Sequence, residues 1–127
     1  MSSKSALGRV LGLGTASATR HWWLQRVGAV ALLPLGVWFA VALLSLPDLH
    51  FATVHAWLAR PWNALLLLLL LPVAAHHSWL GVEVIVQDYV HDQTAKLVAM
   101  LGLQFLHVAA GALACWAVVR VALGTPA

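Results

Sequence analysis

Three stretches of this 127-residue chain carry no charged side chain for long enough to cross a bilayer. The first lies between Arg26 and Asp48, the second between Arg60 and Glu83, the third between Lys96 and Arg120. Each offers about 20 or more residues, which at ~1.5 Å of rise per residue spans the ~30 Å hydrocarbon core. The spans are expected at residues 27–46, 62–86 and 97–119, with Leu65 to Leu71 the most apolar part of the second. Pro34 falls inside the first, where a membrane helix tolerates it.

Composition agrees. The chain is 62% hydrophobic and 9% charged, against about 25% charged in a soluble domain. Seven tryptophans are present, several at the expected span ends, as in the aromatic belts of membrane proteins. The formal charge of +3 is small and scattered, which excludes nucleic acid as a partner. The single cysteine, Cys115, sits in an apolar run and forms neither an intrachain disulfide nor a cysteine cluster. It reads as a small buried apolar residue. No break or internal repeat divides the chain, so residues 1–127 form one all-α membrane domain of three spans.

Orientation follows from lysine and arginine. The N-terminal segment holds Lys4, Arg9, Arg20 and Arg26 and no acid. The positive-inside rule places it in the cytoplasm, or in the matrix if the membrane is organellar. Three spans then put the second loop on that same side and the C-terminus outside. That loop is read as acidic, with Glu83, Asp88 and Asp92 against Lys96; the rule largely ignores acids. The first loop, residues 47–61, is short and holds His50, His55 and Trp57. The first span makes a poor signal peptide, with a long charged leader and no convincing cleavage site, and the acid-free leader faintly resembles a transit peptide.

Histidines at hydrocarbon depth need a partner or a task. His76 and His77 lie late in the second span, and Asp88 and Tyr89 follow where it leaves the membrane. An uncharged imidazole there suits metal ligation, with haem iron the commonest intramembrane choice. The equally open reading of His77 is a polar contact between helices. At ~100° per residue His77 and Asp88, eleven residues apart, share a face about 16 Å apart along the axis. Gly81 and Val84 lie on that stripe, and Gly81 permits close approach of a flat group or a helix. His76 is rotated by ~100° and reads as a residue reached by water.

A phenol can donate a hydrogen bond to a quinone carbonyl, and a neighbouring carboxylate can orient it and relay protons. Tyr89 and Asp88 also read simply as an interfacial anchor and a solvated acid. Arg20, His21 and Arg26 read as positive-inside anchors or as partners for carboxylates such as haem propionates. His107, with Gln104 on its face, reads as a helix-packing contact. The rival is a self-contained cytochrome ligated by His77 and His107.

Together these residues resemble a known family. His77, Gly81, Asp88 and Tyr89 look like the His-x-x-x-Gly…Asp-Tyr motif of the succinate dehydrogenase hydrophobic membrane anchor, the D subunit. The leader residues Ser5, Ala6, Leu7, Gly8 and Arg9, and Arg26 at the head of the first span, are similar to bacterial members. The resemblance implies a bundle with a second three-helix anchor, the cytochrome b556 or C subunit, with one b-type haem between them and one axial histidine from each. His77 would be this chain's iron ligand, with Arg26 and His21 near the propionates and Tyr89, beside Asp88, at ubiquinone.

The resemblance further implies a subunit of an enzyme, succinate:ubiquinone oxidoreductase of the tricarboxylic acid cycle and respiratory chain, with no succinate chemistry of its own. FAD and iron–sulfur clusters belong to the flavoprotein and iron–sulfur partner subunits, since this chain has neither a flavin-binding glycine motif nor clustered cysteines. The implied location is the bacterial inner membrane, with the mitochondrial inner membrane second. Fumarate-reducing relatives that use menaquinol are the nearest functional alternative. From another class, a small haem-free transport or assembly protein would use its histidines for packing or proton relay.

Overall fold

The computed structural model describes the backbone of residues 15–124 and the side chains of residues 19–124. Lys4, Arg9 and the leader residues Ser5 to Arg9 lie outside the described residues. Four helices follow in order: α1 (Thr15–Leu44), α2 (Phe51–Leu58), α3 (Pro61–Tyr89) and α4 (Gln93–Ala122). Among the described residues no strand occurs.

Three helices are long and apolar enough to cross a membrane: α1 over Thr19–Leu44, then α3 and α4 over their whole lengths. This is an integral membrane protein. The helices contain 26, 29 and 30 such residues, about 39–45 Å at ~1.5 Å each. They therefore exceed the ~30 Å hydrocarbon core and reach into the interfaces or tilt.

Local chemistry sets the ends. Pro61 occupies the first turn of α3, where its missing N–H is no loss and its fixed φ suits a helix. Asp92 caps α4, its carboxylate accepting from the Ala95 N–H at 2.7 Å, as a good N-cap residue does. Gly124 closes α4 with a φ of 67°, a left-handed conformation that glycine adopts without steric cost.

One expectation about the loops needs correction, and the first loop gains an element: Phe51–Leu58 forms α2. The acidic second loop shrinks to residues 90–92, because Glu83 and Asp88 are inside α3. Charge marks where hydrocarbon ends, whereas a helix ends where its backbone hydrogen bonds end. A polar final turn at the interface keeps the ladder intact.

α3 is the central element. It packs against α1 on one side and α4 on another, while α1 and α4 make no close backbone approach to each other. The small core sits toward the end that carries α2 and joins Trp57, Ala64, Leu67, Leu70 and Val118. Leu32, Leu35, Trp38 and Phe39 of α1 pack on it, and Trp38 stacks on Trp57 with ring centroids 5.9 Å apart. Away from this core large apolar side chains face outward, Val30, Leu33, Val37 and Val41 of α1 among them. In water such a surface would be untenable; in a bilayer it meets acyl chains or other apolar helices.

Candidate functional site on the α1–α3 seam

From the core inward, the antiparallel seam between α1 and α3 turns polar. Gly28 faces His77, Gln25 faces Gly81, and His21 meets Glu83. The His77 ring is half-buried. Its Nδ1 is enclosed and has no hydrogen-bond partner. A Cβ built on Gly28 would lie 3.3 Å from that atom, so the imidazole lies against the bare backbone of α1. An enclosed imidazole nitrogen without a partner is costly in hydrocarbon. Among the described residues nothing satisfies that atom, and the ring presents its other nitrogen, Nε2, away from it.

His76 projects elsewhere. It is exposed and lines a cleft of about 380 Å³ between α3 and α4, with Trp79, Gln104 and His107. The ~100° rotation between consecutive helical residues thus puts the two histidines on different seams.

His107 is engaged at both ring nitrogens. Its Nδ1 donates to the Leu103 carbonyl at 2.7 Å, and its Nε2 is 3.2 Å from the Ser78 hydroxyl. With Nδ1 donating, Nε2 accepts from Ser78. The edge of the ring also meets Trp79, centroids 6.1 Å apart. This is a helix-packing contact between α4 and α3, and it leaves neither nitrogen open to a metal in this arrangement.

Farther along the seam from the core, His21 Nε2 lies 3.1 Å from the Glu83 carboxylate. The other Glu83 oxygen accepts from the Gln87 amide at 3.1 Å. Lys96 of α4 donates to the Gln87 carbonyl at 3.1 Å. These contacts tie α1, α3 and α4 together at the end opposite α2. Arg26 stacks over the Trp22 ring at 4.4 Å, within cation–π range. Asp88 and Tyr89 end α3 and are exposed, Tyr89 at 78%. Neither touches His77. Among the described residues no group of three or more His, Cys, Asp or Glu converges as a metal cluster, so a metal here would draw its other ligands from beyond these residues.

The sequence reading missed Glu83, Gln25, Gly28 and Ser78. Glu83 was counted as a loop acid; its partner His21 is 62 residues away, and no local spacing signals that pairing. Gly28 carried no motif. Ser78 was passed over as the residue after a histidine.

Residues 1–124 match the family model of the succinate dehydrogenase/fumarate reductase transmembrane subunit. The chain belongs to this family. Its relatives within the succinate dehydrogenase/fumarate reductase transmembrane subunits include the succinate dehydrogenase hydrophobic membrane anchor subunit of Paracoccus denitrificans, 32% identical over 114 residues, covering 89% of this chain and 88% of the relative. The succinate dehydrogenase membrane anchor subunit of Reclinomonas americana is 32% identical over 90 residues, 68% of this chain and 74% of the relative. The Rickettsia conorii hydrophobic membrane anchor subunit is 31% identical over 75 residues, 58% of this chain. There the match spans only 60% of the relative's length. No solved structure matches. The resemblance expected from His77, Gly81, Asp88 and Tyr89 is thus borne out as family membership.

Proposed function

We propose that the chain is the membrane anchor subunit of a succinate:quinone oxidoreductase, that His77 is its axial ligand to a b-type haem, and that Tyr89 and Asp88 form part of a quinone site. The observation that carries the haem reading is the His77 ring at the α1–α3 seam, its Nδ1 enclosed against the bare backbone at Gly28, which leaves Nε2 as the nitrogen for iron. Family membership supports the anchor role.

The residues present fit a haem. A neutral imidazole with one nitrogen turned into the seam has its other nitrogen for iron. Gly28 and Gly81 line the seam beside it without side chains. A haem bound there would supply a one-electron carrier within the membrane. The second axial histidine would come from the cytochrome b556 anchor, whose helices would pack on this chain's exposed apolar faces.

Arg26 and His21 stand on the inner side of that position and suit the propionates. Arg26 has its guanidinium held over Trp22, an arrangement that leaves its donors open to an incoming carboxylate. His21 already has a carboxylate partner in Glu83, so a propionate would share or displace it.

The quinone is the substrate. Tyr89 O–H donates a hydrogen bond to a quinone carbonyl, and Asp88 beside it orients the phenol and passes protons from the aqueous side. The exposure of both at the end of α3 suits a site completed by a docked iron–sulfur subunit. FAD and iron–sulfur clusters, held by those partners, would supply the electrons from succinate. The membrane would be a bacterial inner membrane, with the N-terminus cytoplasmic.

The test is to purify the assembly through a tag on this chain and record a reduced-minus-oxidised spectrum with succinate as reductant. A b-type signal with co-purifying flavoprotein and iron–sulfur subunits is expected. A colourless preparation lacking them would sink the reading in favour of a haem-free transport or assembly protein.

A further inference from the structure

We infer that Gly28 is a positioning residue for His77, and that by offering no acceptor to the ring it holds the haem potential high; this rests on the reading of His77 as an iron ligand. His77 Nδ1 is enclosed and unpartnered. The position that a Cβ on Gly28 would occupy is 3.3 Å from Nδ1, 3.7 Å from the His77 Cβ and 3.8 Å from its Cγ. These separations are tight to ordinary van der Waals contact along one edge of the ring. Gly28 therefore fixes how close to α1 the ring sits, and any larger residue pushes it toward the far side of the seam.

The electronic consequence follows from the same contact. Ligation through Nε2 requires Nδ1 to carry the proton, because a neutral imidazole has one donor and one acceptor nitrogen. Metal-bound histidines usually donate that second N–H to a carbonyl, carboxylate or water, which fixes the ring and raises its basicity. Here the residue of α1 beside Nδ1 is a glycine, which has no side chain to accept from it, and Nδ1 has no other partner among the described residues. The ring is then a weaker donor than most axial histidines. A weaker donor stabilises oxidised iron less, so the potential is higher than an acceptor at this place would allow.

Two substitutions separate bulk from hydrogen bonding. Gly28→Ala adds a methyl group and no acceptor. Gly28→Ser adds a hydroxyl that can accept from Nδ1–H while donating back to the Leu24 carbonyl one turn earlier, as helical serines do. In the assembled complex, Gly28→Ser is expected to shift the haem midpoint potential below both wild type and Gly28→Ala. Loss of haem from both variants with the other subunits still bound also supports the positioning role, since only the ring would have been displaced.

Unchanged haem content and unchanged potential in both variants would overturn the inference. If neither variant assembles, Gly28→Ala combined with His77→Ala decides. Recovered assembly attributes the defect to the contact between the two positions, and no recovery refutes it. His77→Ala alone tests the underlying reading: retention of an unaltered b-type spectrum would remove His77 as ligand and this inference with it.

Discussion

At the scale of single residues, the histidines differ more in surroundings than in type. His107 is satisfied within the chain at 2.7 and 3.2 Å, His76 opens onto a cleft, and His77 alone among the described residues keeps an enclosed side-chain nitrogen without a partner. His77→Ala should therefore abolish or alter the b-type spectrum, while His76→Ala and His107→Ala leave it nearly unchanged; difference spectra of the three purified variants decide this. Tyr89→Phe removes one hydrogen-bond donor and little volume. It should lower quinone reduction roughly tenfold, the worth of one hydrogen bond of about 1.4 kcal/mol. Succinate oxidation with a soluble acceptor should persist, and equal loss of both activities would instead indicate misassembly. The eleven-residue spacing between His77 and Asp88 made their shared helix face legible, and the two roles come from the resemblance of the motif. That Gly28 faces His77 was not legible, because the contact joins two helices whose relative rotation no local pattern encodes.

At the scale of elements, the α1–α3 seam is apolar at the end near α2 and polar at the opposite end, where His21 meets Glu83. The two side chains keep 27% and 17% of their exposure, so solvent screens the pair and its worth is that of a partly exposed contact, about 0.5–1 kcal/mol. A double-mutant cycle with His21→Ala and Glu83→Ala, read by thermal unfolding of the complex, should return a coupling of that size; strict additivity would show that the contact contributes nothing. The short helix α2 depends on a different acid. The Asp48 carboxyl is held below the usual carboxylate range, first by the Thr53 hydroxyl and then by the His50 N–H, the latter at 3.0 Å.

A carboxylate with a depressed folded value contributes stability that is present above its unfolded value and lost as pH falls through the folded one. The protection of α2 amides against hydrogen exchange, taken relative to their intrinsic rates, should thus fall as pH drops below about 3.8, the ordinary value. Asp48→Asn should remove that pH dependence. The existence of α2 was not anticipated, since eight residues between two spans carry too short a period to separate a helix from a loop.

At the scale of the whole molecule, three apolar helices enclose little. Buried residues gather around Trp57 and Leu67 near one end, and a ridge with Val30 72% and Leu33 69% exposed runs along α1. The bundle is incomplete as a solvent-excluding unit, which fits a subunit that completes its surface with lipid and other helices. Its topology is open to a direct test. In a Cys115→Ala background, Leu49→Cys should react with a membrane-impermeant thiol reagent from the outside, since Leu49 is 74% exposed in the connection before α2. Gln93→Cys, at the start of α4, should react only after permeabilisation. The reverse pattern would invert the orientation taken from the N-terminal lysine and arginine residues.

Sequence by itself determined that this chain is a three-span membrane protein, where the spans lie, and which family its His77 to Tyr89 segment belongs to. Those properties are written locally: in the absence of charge over about 20 residues, in span-end tryptophans, and in the spacing of one short motif. Only the tertiary structure decided that α3 is central, that His77 turns to α1 while His76 turns to α4, that His107 is spent on Ser78 and Leu103, and that Glu83 belongs to a seam instead of a loop. An apolar helix looks much the same from every side, so nothing in its own sequence says which face meets which neighbour. That choice is made by packing between segments distant in the chain, as the pairing of His21 with Glu83 across 62 residues illustrates.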